Sequence, residues 1–329
     1  MHFYCSCQVV EGAGRRVDCG EQRMGRPSKQ TGISMEEIIF HVSNVVLPIL
    51  ICVLVGFAFA KLNLPFDKKM VGSLVANVGY PTLILSHLAA QHVDVGPFLH
   101  MILAALVMVL AFGAVSYVFL RAFRIPVRGY LSPMMLNNVG NIGLPVCGLA
   151  LGSAGLAYGI AFVVVVLAGV FTIGIWVPQG KVTASDLYRK PVIYAVAIAI
   201  FLMATDTKLP ATLDHAFSIL GGLAIPLMLM TLGYTLATLK VGTLWRGISL
   251  SLFHLVLGFG VAWAIVHSFG FEGTERGVVI LMAMMPVSVA TYLWVERYDP
   301  EDAPGVAGYI LVSTLLTVFV LPLVLAFWL

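Results

Sequence analysis

The chain has 329 residues, of which 60% are hydrophobic and only 11% charged, with a formal net charge of +3 and a mean hydropathy of +0.97. A soluble domain carries roughly 25% charged residues, so burial in one globular core does not account for the apolar excess. A bilayer does, because each spanning helix needs ~20 predominantly apolar residues; the small basic excess then belongs to loops at the membrane face rather than to nucleic acid.

Residues 1–34 differ from all that follows. They are polar and carry Arg15, Arg16, Arg23, Arg26 and Lys29. They lack the apolar stretch of a signal peptide, and read as a disordered extension or as sequence ahead of a natural start at Met35. Cys5 and Cys7 form a Cys-x-Cys pair, but no second Cys/His pair stands at zinc-site spacing, so neither a metal nor a cofactor is assigned. Cys52 and Cys147 fall in apolar runs and read as small packing residues.

Apolar runs cut by polar or Gly/Pro punctuation predict ten spanning helices, at about 36–60, 69–89, 97–121, 129–151, 155–178, 191–205, 213–239, 244–268, 275–296 and 304–328. Ten spans divide into two repeats of five, 35–178 and 191–329, joined by a linker at 179–190. Pro81 in the second span and Pro226 in the seventh are 145 residues apart, and the same offset carries Asn141 in the fourth span to Pro286 in the ninth. Five spans per half make the second half inverted, so matching loops should differ in basic content. They do: Lys61, Lys68 and Lys69 follow the first span, against Asp206, Lys208 and Asp214 after the sixth. Arg121, Arg124 and Arg128 follow the third, against Glu272, Glu275 and Arg276 after the eighth. The basic side is cytoplasmic, which puts both ends of the membrane domain outside.

The fourth span contains Leu136–Gly152, LNNVGNIGLPVCGLALG, with three asparagines, four glycines and a proline in seventeen residues. Proline removes a backbone donor and disturbs the preceding turn, so unwinding is expected around Gly140, Asn141, Gly143 and Pro145. Non-helical backbone at this depth is tolerated only inside protein or beside a watery cavity. A half-helix starting near Pro145 would aim its positive end at the gap, and Pro286 should do the same from the ninth span. Two such ends near one point make an anion site without a buried Lys or Arg.

Asn137, Asn138 and Asn141 are the side chains placed at that site, with Gly143, Pro145, Pro286 and Ser288. Asparagine amides can donate to a carboxylate or repair freed backbone groups, and both readings stand for each residue. Asn44, Asn77, His87 and Thr291 are candidates for the cavity wall. His41, His87, His215, His254 and His267 fall at or toward span ends. No Asp or Glu lies near the middle of a span, which argues against a carboxylate proton relay. Inverted repeats interrupted at matching places point to a secondary transporter, with no catalytic residues assigned.

NNVGNIGLP (Asn137–Pro145) resembles a motif of the auxin efflux carrier family of membrane transporters. AMMPVSVATYLWVERY (Ala283–Tyr298) and LPILICVLVGFAFAKL, in the first span, resemble further segments of that family. The resemblance implies an all-α polytopic fold in which the broken fourth and ninth helices cross at the substrate site, outward termini, and a homodimer. The short linker is similar to that of compact bacterial members proposed to carry malonate or malate. The expectation is a carrier in the cytoplasmic membrane moving a small organic anion, most simply a carboxylate, by alternating access. A sodium- or proton-coupled symporter on the same scaffold, or a channel, is the alternative.

Overall fold

The computed structural model describes residues 35–90, 95–181, 191–205, 207–239, 242 and 244–327. The N-terminal extension 1–34 and most of the linker 179–190 lie outside the described residues. Every described element is helical, and the one β-type feature among the described residues is an isolated antiparallel bridge between Asn137 and Val287.

The first half opens with α1 (Met35–Lys61), a single apolar helix closed by the cation of Lys61, which suits a helix C-terminus. α2 (Lys68–Leu74) begins at Asp67, whose carboxylate accepts from the N–H of Lys69 at 2.8 Å and of Met70 at 3.1 Å. It passes through a π-helical turn, Val75–Gly79, into α3 (Tyr80–Ala90). α4 (Val95–Ala122) is uninterrupted. α5 (Val127–Met135) stops at Leu136, and a second π-helical turn, Val139–Gly143, leads into α6 (Leu144–Phe171). α7 (Ile173–Gln179) ends in left-handed Gly180. Arg128 donates to the carbonyls of Pro178 at 2.6 Å and Gln179 at 3.2 Å, setting a cation at that helix end.

α6 is not one rod. At Gly152 the backbone has φ 67 and ψ −158, a conformation open to glycine. Gly159 then packs against Leu144 and Cys147, which a straight helix would hold roughly 20 Å away. The chain therefore folds back at Gly152.

The second half comprises α8 (Pro191–Ala204), α9 (Ala211–Gly222), α10 (Ala224–Thr238), α11 (Leu244–Phe269), α12 (Gly273–Ala283), α13 (Val289–Tyr298) and α14 (Ala303–Phe327). α9 and α10 are parted at Leu223, shortly before Pro226, and α12 and α13 by the stretch 284–288.

The helices pack in two groups. α1, α2, α3, α8, α9 and α10 contact chiefly one another, while α4–α7 and α11–α14 form the second group. In lipid such packing rests on close approach and hydrogen bonds rather than on apolar transfer. A Cβ on Gly56 would overlap the Met230 carbonyl and one on Gly233 the Val53 carbonyl, so α1 and α10 meet backbone to backbone. A Cβ on Gly79 would lie 3.0 Å from Ala224 Cβ, and one on Gly221 2.7 Å from Leu83 Cα. The interruptions near Pro81 and Pro226 thus touch each other.

Among the described residues, six stretches are by length and composition apolar enough to cross a bilayer: Val42–Lys61, Val95–Ala122, Val139–Gln179 (which contains the fold-back at Gly152), Ala211–Thr238, Leu244–Phe269 and Ala303–Ala326. Large apolar side chains such as Val256, Trp263 and Phe319 stand exposed on them, the surface expected of helices solvated by lipid. The chain is a polytopic helical membrane protein.

Candidate functional site

The site is built where α5–α6 and α12–α13 interrupt and meet. Leu136 leaves the helix in an extended conformation (φ −113, ψ 100) and Asn138 follows at φ −78, ψ 53. The facing stretch includes Ser288, also extended (φ −70, ψ 123). The two pair as a fragment of antiparallel ladder: Asn138 N–H donates to the Pro286 carbonyl at 2.7 Å, and Ser288 N–H to the Leu136 carbonyl at 2.9 Å. These two bonds satisfy backbone groups that the breaks release, as a low-dielectric interior requires.

Four further carbonyls of the α12–α13 break have donors. Asn137 Nδ2 donates to Met282 O at 3.1 Å and Ala283 O at 3.0 Å. His254 Nε2, from α11, donates to Met285 O at 3.2 Å. Thr291 Oγ1 donates to Ser288 O at 2.7 Å. Gly258, one turn beyond His254, leaves room for the Ala283 carbonyl, which would lie 2.6 Å from a Cβ there.

The break lies at Leu136–Asn138, upstream of the Gly140–Pro145 segment where unwinding was expected. Pro145 sits buried in the first turn of α6, and Gly143 has helical φ and ψ. The reason is visible at a second place. Val75–Gly79 is followed by Tyr80 and Pro81, and Val139–Gly143 by Leu144 and Pro145. In both, the missing proline N–H is absorbed by a widened π turn rather than by a break. Gly143 serves packing: a Cβ there would approach Met282 Sδ to 2.6 Å. Pro286 lies in the gap itself, its carbonyl spent on Asn138.

The asparagines divide in role. Asn137 is 1% exposed and ties the opposite break, the repair role weighed for it from sequence. Asn138 is 3% exposed, yet its Nδ2 donor has no partner. A buried unpaired amide is costly, and it marks a place where a ligand or water would be bound. Asn141 is half-buried on the π turn, and no side-chain hydrogen bond holds it among the described residues. Asn138 and Ser288 are the N-cap residues of the two helical segments leaving the crossing, and neither caps its helix with its side chain. Two helix starts without side-chain caps, a buried amide donor and a half-buried one therefore meet at the crossing, with no charged side chain among the residues named there. That set favours an anion.

Thr291 is buried beside the α12–α13 break, where its hydroxyl donates to Ser288 O. Three other candidates are placed elsewhere. Asn44 is exposed on α1, on the side that carries Leu47, Ile51 and Leu54. Asn77 is exposed and donates to Ser73 within its own helix. His87 is half-buried in the last turn of α3, where Asp214 of α9 is the charge acting on it. His254 corrects the expectation that the histidines lie toward span ends: it is buried in the interior of α11. Tyr80 is a further residue that the sequence did not single out. It is buried in α3, and its hydroxyl lies against Gly140 of the π turn.

Residues 176–325 match the family model described as membrane transport protein, the auxin efflux carrier family. The match bears out the resemblance carried by the motifs, and it is independent of Asn137–Pro145, which lies outside the matched residues. No curated protein matches the chain.

Proposed function

We propose that this chain, whose residues 176–325 match a membrane transport protein family model, is a secondary carrier of the auxin efflux carrier type that moves a small organic anion by alternating access. The observation that carries this reading is the crossing at Asn137 and Val287, where two helix starts and the unpartnered Asn138 amide converge. A carboxylate suits that donor set. The fold-back at Gly152 and the helices interrupted at Val75–Gly79, Leu223, 136–138 and 284–288 support ten crossings as two inverted five-helix repeats. The packing supports it too: α4 lies on α5 and α6 as α11 lies on α12 and α14, and α1 lies on α10 as α8 lies on α3. The group containing α1, α3, α8 and α10 then serves as scaffold, while the group with the crossing rocks against it.

The carrier resides in the cytoplasmic membrane as a homodimer and resembles the compact bacterial type, with malonate or malate as first substrates to try. Transport proceeds without sodium, since no carboxylate is among the residues named at the crossing. The test is counterflow of radiolabelled malonate in proteoliposomes, with malate and an aromatic acid as competitors and membrane potential fixed. Saturable exchange that sodium leaves unchanged is the expected result. Sodium-stimulated flux would move the chain to the coupled symporters, and non-saturable flux to the channels.

A further inference from the structure

We propose that His254 is a positioning residue for the anion site, acting through the Met285 carbonyl. An imidazole in the interior of a spanning helix is expensive and calls for a reason. Here its Nε2 donates to Met285 O at 3.2 Å, while Nδ1 is buried with no partner. Phe112 and Tyr309 flank the ring, with centroids 5.0 Å and 6.2 Å away. An apolar side chain would fill that aromatic slot without leaving an orphaned nitrogen, so packing alone does not explain histidine at this position.

What an apolar residue could not do is hold the α12–α13 break. His254 and Gly258 are four apart and lie on one face of α11. The first supplies a donor to Met285 O, and the second makes room for the Ala283 carbonyl. Met285 directly precedes Pro286, whose own carbonyl takes Asn138 N–H, and two residues further Ser288 starts α13. Fixing Met285 therefore fixes the direction in which the α13 start faces the crossing. Asn137 holds the same break from the other side at Met282 and Ala283. The effect of His254 on anion affinity rests on the carrier reading; its hold on the break does not.

The test is amide hydrogen exchange on the full-length chain in lipid nanodiscs, comparing native protein with His254→Leu and His254→Gln. Glutamine keeps an N–H donor. Exchange at the bonded amides of the break, Met284, Met285 and Ser288, should quicken roughly tenfold in His254→Leu and return to within about twofold of native in His254→Gln, with α4 and α14 unchanged. Unchanged exchange in a folded His254→Leu protein overturns the proposal, and so does acceleration spread evenly along the chain. His254→Met, unbranched and adaptable, replaces leucine where that variant does not fold. In counterflow, the apolar variant should raise KM about tenfold with Vmax nearly kept, and glutamine should restore KM. A lowered Vmax at unchanged KM overturns the positioning role. Native protein that moves no acid would sink the carrier reading, while the exchange experiment still decides the role of His254.

Discussion

The two breaks at the crossing are built by opposite means. The α5–α6 break supplies polar side chains, Asn137, Asn138 and Asn141, from its own short stretch. The α12–α13 break supplies carbonyls and depends on other elements, Asn137 and His254, to satisfy them. Only the backbone pairing at Leu136–Asn138 and Pro286–Ser288 is reciprocal. One break thus keeps amide donors to spare, and the other is held still. A pair of related helices can share a fold position and still divide binding from support.

The largest effect should come from removing the tie between them. Asn137→Leu leaves the carbonyls of Met282 and Ala283 without their side-chain donor. The Ala283 carbonyl is left orphaned, at about 1–3 kcal/mol, while Met282 O keeps a long bond from Met285 N–H at 3.5 Å, so thermal unfolding in detergent should show a loss of about 2–4 kcal/mol. A variant as stable as native would mean that the α12–α13 break supports itself.

Next come the two glycines at the seams. Gly258→Ala puts a Cβ 2.6 Å from a backbone oxygen of Ala283, whereas Gly143→Ala meets the flexible Met282 Sδ at the same distance. The first should destabilise by about 1–3 kcal/mol and the second by less. Thermal shifts of the two variants, side by side, decide whether the supported break is the stiffer one. Equal shifts would remove that distinction.

Smaller still, Asn44→Ala and Asn77→Ala should change exchange kinetics less than about twofold, because both residues are exposed away from the crossing. A strong transport defect in either would extend the site beyond the two breaks.

The smallest effect concerns a contact away from the crossing, between α5 and the residue that precedes α14. Gly129 of α5 receives Asp302, which would lie 2.6 Å from a Cβ there. Burial pushes the Asp302 carboxyl above the usual carboxylate range; Asp299 adds to this, Arg246 opposes it and Glu301 adds least. The folded chain therefore binds this proton more tightly than the unfolded chain does. Its stabilising contribution is full below the ordinary carboxylate pKa of about 3.9 and is lost as pH rises through the raised value. Asp302→Asn should flatten stability across that acidic window and leave the slope elsewhere unchanged, as pH-resolved thermal unfolding would show.

Much of this was legible in the sequence. Apolar run length marked the chain as a polytopic helical membrane protein, and the asparagine–glycine–proline density of Leu136–Gly152 marked the break-bearing span. The exact gap was not legible, because a proline's lost N–H can be absorbed by a π turn, as at Pro81 and Pro145. What opens the chain at Leu136–Asn138 is instead pairing with Pro286–Ser288, a tertiary event that leaves no local pattern. Asn44 illustrates a second limit: polarity in an apolar helix does not say which way the residue faces. His254 shows a third, since its partner Met285 is distant in sequence and a lone histidine carries no signal of it.

The most direct test of a carboxylate site at the crossing is the KM for malonate counterflow in native protein and in Asn141→Asp. The change is nearly isosteric and falls at a half-buried position, so the fold should tolerate it. A fixed negative charge beside the helix starts should raise KM at least about tenfold. An unchanged KM in the folded variant would contradict an anion site there.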